Sequence, residues 1–156
     1  MRRGVAVGFI VCSCALTIPA RGAAQVVALR DLSFGTIVSG TTTSVAPTDV
    51  TSAAFRITGI LGVFGTVTFT LPTSLTRSGG SETMPVSFCG TCGIVRVNNS
   101  SPAGGTTFDP KTGISGLVIV VLSSIYLWVG GSANPPLAQR AGSYSGTIIM
   151  TSSPLL

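Results

Sequence analysis

The residues best suited to chemistry are two cysteines, Cys89 and Cys92, separated by Gly90 and Thr91. A Cys-x-x-Cys spacing is typical of a thioredoxin-like redox pair, of half a zinc site, or of a small loop closed by a disulfide. A zinc site needs two further Cys or His ligands, and the chain after residue 24 has none. Glycine flanks both cysteines, and no helical pattern follows of the kind that a redox pair normally opens. We predict a disulfide on a loop between strands, with a free pair and a redox pair as the alternatives.

The remaining polar residues do not indicate an enzyme. The chain contains no histidine, so the commonest general base, proton shuttle and metal ligand is missing. The four carboxylates lie far apart in the sequence, at Asp31, Asp49, Glu82 and Asp109. We therefore predict no enzymatic activity, no catalytic residue, no cofactor and no metal site.

The N-terminus has the layout of a secretory signal peptide. Two arginines precede an apolar run over residues 5–18, and small residues follow up to Ala24. We predict that residues 1–24 are the signal peptide and that residues 25–156 form a single domain. The apolar run is shorter than the roughly 20 residues that span a bilayer as a helix. An uncleaved anchor and a lipoprotein acylated at Cys14 are the alternatives.

Export changes the charge that the domain carries. The whole chain has a formal charge of +5, but three of its nine basic residues lie in the predicted signal peptide. Six basic and four acidic side chains remain, which leaves a charge of +2. The six are scattered singly, without the clustering and interleaved aromatic residues that follow a phosphate backbone. We expect no nucleic acid partner, and membrane contact only through the signal peptide before its cleavage.

Alternation of apolar and polar residues predicts strands along the exported chain and no helix. The clearest strand is residues 66–71, where Val67, Phe69 and Leu71 share one face. Proline cannot donate to a sheet, so Pro85 predicts an edge position for its strand. The other predicted strands are residues 33–38, 55–58, 84–88, 117–122, 125–129 and 144–151. Seven or so short strands predict an all-β fold of the β-sandwich type.

The longest apolar stretch is residues 114–129, interrupted only by serines and one glycine. It is shorter than a membrane span, and its β-branched residues favour two core strands over a membrane helix. If the residues alternating with Tyr126 and Trp128 face the core, these two aromatic side chains point outward. They are then a candidate surface contact. The alternative is that a loop such as residues 133–139 covers them.

Two motifs have plain structural interpretations. Tyr144 stands two residues after Gly142, at the start of the last predicted strand, and is placed like a corner tyrosine that closes a β-arch through its hydroxyl. The Gly130-Gly131 pair suits a turn that requires positive φ.

Three stretches carry a family resemblance. They are Leu-Ser-Phe-Gly-Thr-Ile-Val at residues 32–38, Phe-Arg-Ile-Thr-Gly at 55–59 with Val-Thr-Phe-Thr-Leu-Pro at 67–72, and Val-Gly-Gly at 129–131 with Ala-Gly-Ser-Tyr-Ser-Gly-Thr at 141–147. Over about residues 29–151 the chain resembles the bacterial domain of unknown function 4402 family. More distantly it is similar to the pilin-like domains of spore coat protein U and of chaperone-usher fimbriae. The resemblance implies an immunoglobulin-like (pilin-like) β-sandwich, exported to the periplasm or cell surface of a bacterium, without catalytic residues.

The pilin resemblance also implies a mode of assembly. In donor-strand exchange a subunit that lacks its last strand receives an N-terminal extension from a neighbour. We expect an open sheet edge beside the Tyr144 strand, with this protein itself or related subunits as partners. Residues 25–31 are either the donor or the chain's own first strand. We therefore predict an exported structural or surface protein of fimbrial-subunit type, and as the alternative a periplasmic or surface module that binds a glycan or peptide.

Overall fold

The computed structural model describes residues 25–58, 63–119 and 123–154. All regular elements in these ranges are β-strands, arranged in antiparallel sheets that enclose a common core, which confirms the predicted all-β, sandwich-type fold. The strands are β1 (Gln25–Arg30), β2 (Thr43–Val45), β3 (Ala53–Thr58), β4 (Val63–Thr70), β5 (Ser74–Arg77), β6 (Thr83–Ser87), β7 (Gly93–Val97), β8 (Thr106–Phe108), β9 (Ile114–Ile119), β10 (Ser124–Val129), β11 (Gly131–Ala133), β12 (Tyr144–Ser145) and β13 (Ile149–Pro154).

One layer is a five-stranded sheet with the order β1-β3-β10-β7-β8. Facing it are the sheet β13-β4-β9 and the sheet β12-β5-β6-β11-β2. Period-two alternation places the apolar residues of β3 and β10 in the space between these layers. Ile57, Ile125 and Leu127 are fully buried there, and the second layer contributes Val67 and Val86 to the same core.

The chain passes from one layer to the other at Gly130, between β10 and β11. Neither Gly130 nor Gly131 is among the residues with positive φ, so the predicted positive-φ turn is wrong. Gly130 is needed for a different reason, because a Cβ atom there would collide with the carbonyl oxygen of Val45 and the backbone of Pro47. The crossing strand packs directly on the backbone that follows β2.

Residues 33–38 do not form the predicted strand. Gly35 has a φ of 65°, which breaks the extended conformation, and within these residues only Ser33 donates a backbone hydrogen bond to another segment, to Thr51 O at 2.9 Å. The apolar alternation nevertheless serves the core, because Leu32, Phe34 and Ile37 pack against it. A side-chain pattern alone therefore does not guarantee strand pairing.

Pro85 lies in a central strand, because β6 is paired with both β5 and β11, so the predicted edge position is wrong. The amide of Val86 donates to Thr73 O on the β5 side, so the nitrogen of Pro85 points toward β11. There β11 ends, and the carbonyl of Pro85 accepts from the amide of Asn134 at 2.9 Å. The N–H that Pro85 lacks would therefore point to the place where the pairing between β6 and β11 ends.

Other predicted segments are only partly described. The predicted strand at residues 144–151 is divided into β12 and β13, while the apolar stretch at 114–129 contains β9 and β10, with residues 120–122 outside the described ranges. The predicted signal peptide, residues 1–24, also lies outside them. No helix that the structure describes is long and apolar enough to cross a membrane.

Candidate functional site

A cleft of about 880 Å³ opens into the core along one side of the sandwich. Residues 31–39 form one wall, here called the N-terminal wall, and residues 139–148 form the other, the C-terminal wall. Its floor consists of side chains of the hydrophobic core from both layers: Ala53, Phe55, Leu75, Met84, Val86 and Phe88. The cleft therefore lies between two segments that are largely loops, and it reaches down to side chains of the core.

The N-terminal wall is anchored where it leaves β1. The Arg30 side chain donates from Nε to Ser52 O at 2.8 Å and from Nη2 to Ser52 Oγ at 3.1 Å. Further along the wall, Gly40 N donates to Pro135 O at 3.1 Å. Between these two anchors, Ser33 N donates to Thr51 O, and Ser39 Oγ donates to Gln139 O at 3.2 Å and so joins the two walls.

The C-terminal wall is closed by Tyr144. Its hydroxyl donates to Arg140 O at 2.6 Å and accepts from Gln139 Nε2 at 2.6 Å, which confirms the predicted corner tyrosine. The other amide atom of Gln139, Oε1, is buried and has no hydrogen-bond partner among the described residues. Gln139 lines the cleft, so an unsatisfied acceptor lies in its wall.

An ionic cluster fixes the C-terminal wall to the β5–β6 hairpin. Glu82 Oε1 accepts from Arg140 Nη1 at 2.8 Å, and Glu82 Oε2 lies 3.4 Å from Arg77 Nη1. Arg77 Nε also donates to Ala141 O at 2.9 Å. The pKa of Glu82 is lowered from 4.5 to about 2. The largest cause is the hydrogen bond from Arg140, followed by the hydrogen bond from the Glu82 backbone N–H and by the charge of Arg77.

Cys89 and Cys92 lie on the loop between β6 and β7, and the structure joins them in the predicted disulfide. The amide of Cys89 donates to Cys92 Sγ at 3.0 Å, and Cys92 O accepts from Gly130 N at 2.8 Å. The closed loop thus holds the Gly130 crossing between the layers. Among the described residues, no group of three or more His, Cys, Asp or Glu side chains could hold a metal ion.

Tyr126 and Trp128 lie on the outer face of the five-stranded sheet, as predicted from the alternation. Trp128 is only 3% exposed and packs against Ala54 and Ile94. The ring of Tyr126 stacks on it at a centroid distance of 6.1 Å and remains partly exposed. Tyr126 therefore contributes most of the solvent-accessible aromatic surface at this site, and Trp128 contributes almost none. The predicted surface contact through both side chains is thus reduced to Tyr126. The hydrophobic side chains around Trp128 come from flanking strands and not from residues 133–139.

The carboxylates take separate structural roles. Asp49 Oδ2 accepts from Ala46 N at 2.7 Å, and Asp109 Oδ1 accepts from Lys111 N at 2.9 Å, so both stabilise turns. Asp31 is exposed at the start of the N-terminal wall. No local pattern predicts that Glu82 joins two arginines, because a 58-residue separation from Arg140 carries no local signal.

No family model matches the chain, and the comparisons with curated proteins and with solved structures return no similar protein. The resemblance to the domain of unknown function 4402 family and to pilin-like domains therefore stays a prediction from the motifs.

Proposed function

We propose that the protein is an exported, non-enzymatic structural or surface subunit of fimbrial type, and that its cleft accepts an extended strand from another polypeptide. The observation that carries this proposal is the cleft, because its floor is the core of the sandwich. Leu32, Phe34, Ile37 and Leu75 line the cleft above this floor and remain partly exposed, so apolar surface stays in contact with water. A strand with alternating apolar side chains would bury that surface.

The order of the strands supports the proposal. The strand order β1-β3-β10-β7 in the five-stranded sheet that contains β1 can be aligned with the order A-B-E-D of an immunoglobulin-type sandwich. In that correspondence β4 and β5 represent strand C, and β12 and β13 represent strand F, which begins at the corner tyrosine Tyr144. Strand G would lie beside strand F, next to the cleft. No strand in the described part of the chain occupies that position.

The walls also offer backbone groups to an incoming strand. β12 is paired with β5 only, and between Leu32 and Ile37 only Ser33 makes a backbone hydrogen bond to another described segment. Because buried polar groups need partners, strand addition would satisfy groups that the isolated chain leaves unpaired.

The incoming strand has to come from outside residues 25–30. These residues form β1, whose register with β3 pairs Val26 with Ile57, and Val26 packs against the core. This pairing supports the interpretation of the segment as the chain's own first strand and favours a donor strand from elsewhere. We therefore propose a strand from a related subunit as the occupant of the cleft.

The proposal is tested on protein isolated from the host's cell surface, by electrophoresis in SDS with and without boiling. We expect a ladder of multimers that collapses on boiling. Replacing Thr147 by proline removes one N–H from the exposed edge of the C-terminal wall, and should abolish the ladder. Thr147→Ala is the matched control and should keep it. A second pair uses Thr36 in the opposite wall, where Thr36→Trp obstructs the cleft and Thr36→Ser does not.

A single monomer band from the native surface would contradict the proposal. A ladder unchanged in both Thr147→Pro and Thr36→Trp, with circular dichroism showing that both variants are folded, would also contradict it. In that case the multimers would form without the cleft.

A further inference from the structure

The outer face of the five-stranded sheet carries a row of cationic and aromatic side chains that the proposed strand addition does not use. Arg56 on β3, Tyr126 on β10 and Arg96 on β7 are in direct register. Because neighbouring strands lie about 4.8 Å apart, the row places the two arginine Cα atoms about 10 Å from each other. The adjacent row is apolar, with Trp128 between Ala54 and Ile94.

Arg56 is the unusual member of this row. Its Nε is buried, and no described residue provides it with an acceptor. Arg30, Arg77 and Arg140, in contrast, all donate to described oxygen atoms. Because this Nε is closed to solvent, a ligand can reach Arg56 only at its two terminal Nη nitrogens, which also have no acceptor among the described residues of this half-buried side chain.

Arg96 holds a fixed position at the other end of the row. Its Nη1 donates to the carbonyl oxygens of Ser101 and Ala103, so the loop after β7 orients the guanidinium. Neither Arg56 nor Arg96 forms an ion pair with a described carboxylate, since both described ion pairs involve Glu82. The row therefore has positive charge that favours an anionic ligand.

We propose that this face binds an acidic sugar, a hexuronate residue of a glycan, with its carboxylate on Arg56 and its ring on Tyr126. The two terminal Nη nitrogens of an arginine form an edge that binds a carboxylate through two parallel hydrogen bonds. Tyr126 offers a ring for the apolar face of the sugar and a hydroxyl for its polar rim. Stacking on Trp128 at 6.1 Å restrains that ring before the ligand arrives.

The geometry favours a glycan over an acidic peptide. An extended peptide binds a sheet by pairing with the backbone of an edge strand. Here β3, β10 and β7 are each paired on both sides, so this face presents side chains and no unpaired strand edge. A sugar ring needs only the side chains. The site is separate from the cleft, so its test does not depend on strand addition.

The test titrates the purified protein with trigalacturonate, by calorimetry and by the fluorescence of Trp128, which is the only tryptophan in the chain. We expect saturable binding with a parallel change in fluorescence, because Trp128 stacks against Tyr126. The neutral trisaccharide maltotriose should not bind. Tyr126→Ala should weaken the binding of trigalacturonate, with the fold checked by circular dichroism.

Three variants separate the role of Arg56 from charge alone. Arg56→Gln should lower the affinity for trigalacturonate about tenfold or more, since a charge-assisted contact is lost. Arg56→Lys keeps the charge but not the two-donor edge, and should also weaken binding by about fivefold. Lys111→Gln removes one exposed positive charge between β8 and β9, and should change the affinity by less than about twofold.

Absence of trigalacturonate binding would overturn the proposal, as would equal binding of maltotriose. If Lys111→Gln lowers the affinity for trigalacturonate as much as Arg56→Gln does, the binding depends on overall positive charge and not on this site. Tighter binding of a triglutamate peptide or of inorganic sulfate would overturn the assignment to an acidic sugar.

Discussion

The hydroxyl of Tyr144 donates a hydrogen bond to the carbonyl oxygen of Arg140, 2.6 Å away and four residues earlier in the chain. The bond closes the loop that forms the C-terminal wall of the cleft. The same residue, Arg140, binds Glu82 through its side chain at 2.8 Å. Arg140 thus fixes the C-terminal wall twice, through its backbone carbonyl to Tyr144 and through its side chain to Glu82.

Loss of the Tyr144 hydroxyl should destabilise the fold. In Tyr144→Phe the carbonyl of Arg140 and Nε2 of Gln139 both lose their partner, so we expect the free energy of unfolding to fall by about 1–3 kcal/mol. Urea denaturation followed by circular dichroism measures the change. Tyr126→Phe is the matched control. Its hydroxyl has no hydrogen-bond partner among the described residues, and it should change stability by less than about 0.5 kcal/mol. Equal effects in both variants would contradict the role of the corner tyrosine.

Glu82 should make stability depend on acid pH. Its pKa is 4.5 when unperturbed and about 2 in the folded protein, so its ionised form stabilises the fold above pH 4.5, and this contribution is lost as the pH falls toward about 2. In Glu82→Gln the melting temperature at neutral pH should be lower, and its fall over that pH interval should be smaller. Asp31→Asn is the control and should keep the wild-type pH profile. An unchanged profile in Glu82→Gln would contradict the assignment.

Gly130→Ala should be strongly destabilising although its backbone is not in the positive-φ region. The added Cβ would meet the carbonyl oxygen of Val45, so we expect a loss of about 2–3 kcal/mol from forced backbone displacement. Gly65→Ala is the matched control within a strand, because its Cβ would lie 3.5 Å from Ser153 O, an ordinary contact. Chemical denaturation of the two variants gives the comparison. An unchanged free energy of unfolding in Gly130→Ala would contradict this, because it would show that the backbone at residue 130 can move away from that of Val45.

The disulfide should contribute only modestly to stability. It closes a loop with a sequence separation of three, so the lost entropy of the unfolded chain is small. The double variant Cys89→Ala, Cys92→Ala should lose about 1–2 kcal/mol in chemical denaturation. Wild-type protein unfolded with a reductant present is the control and should show the same loss. Turnover in an insulin reduction assay would favour the redox alternative instead.

Several features could be predicted from local sequence. The alternation around Ile125 and Leu127 identified which side chains of β10 face the core, because a strand turns successive residues to opposite sides. The spacing of Cys89 and Cys92, with glycine beside both, favoured a short closed loop, and the position of Tyr144 predicted a corner hydrogen bond. Each of these depends on neighbours a few residues apart.

Other features have no local signal. Pro85 suggested an edge strand, but its missing N–H falls where β11 ends. The alternation in residues 33–38 suggested a strand, but the backbone turns at Gly35 and pairs with no described strand. In both cases the outcome depends on which distant segment lies alongside, and that is set by the packing of the whole sandwich.

By itself the sequence determined the all-β class and the inward face of its strands, and it favoured a closed cysteine loop, because these follow from period-two alternation and short-range geometry. Only the tertiary structure decided that the core opens into a cleft, that Glu82 joins Arg77 and Arg140, and that Arg56 lies beside Tyr126 without an acceptor. These are relations between segments far apart in the chain. Their energies come from burial and charge pairing, which exist only once the layers have packed.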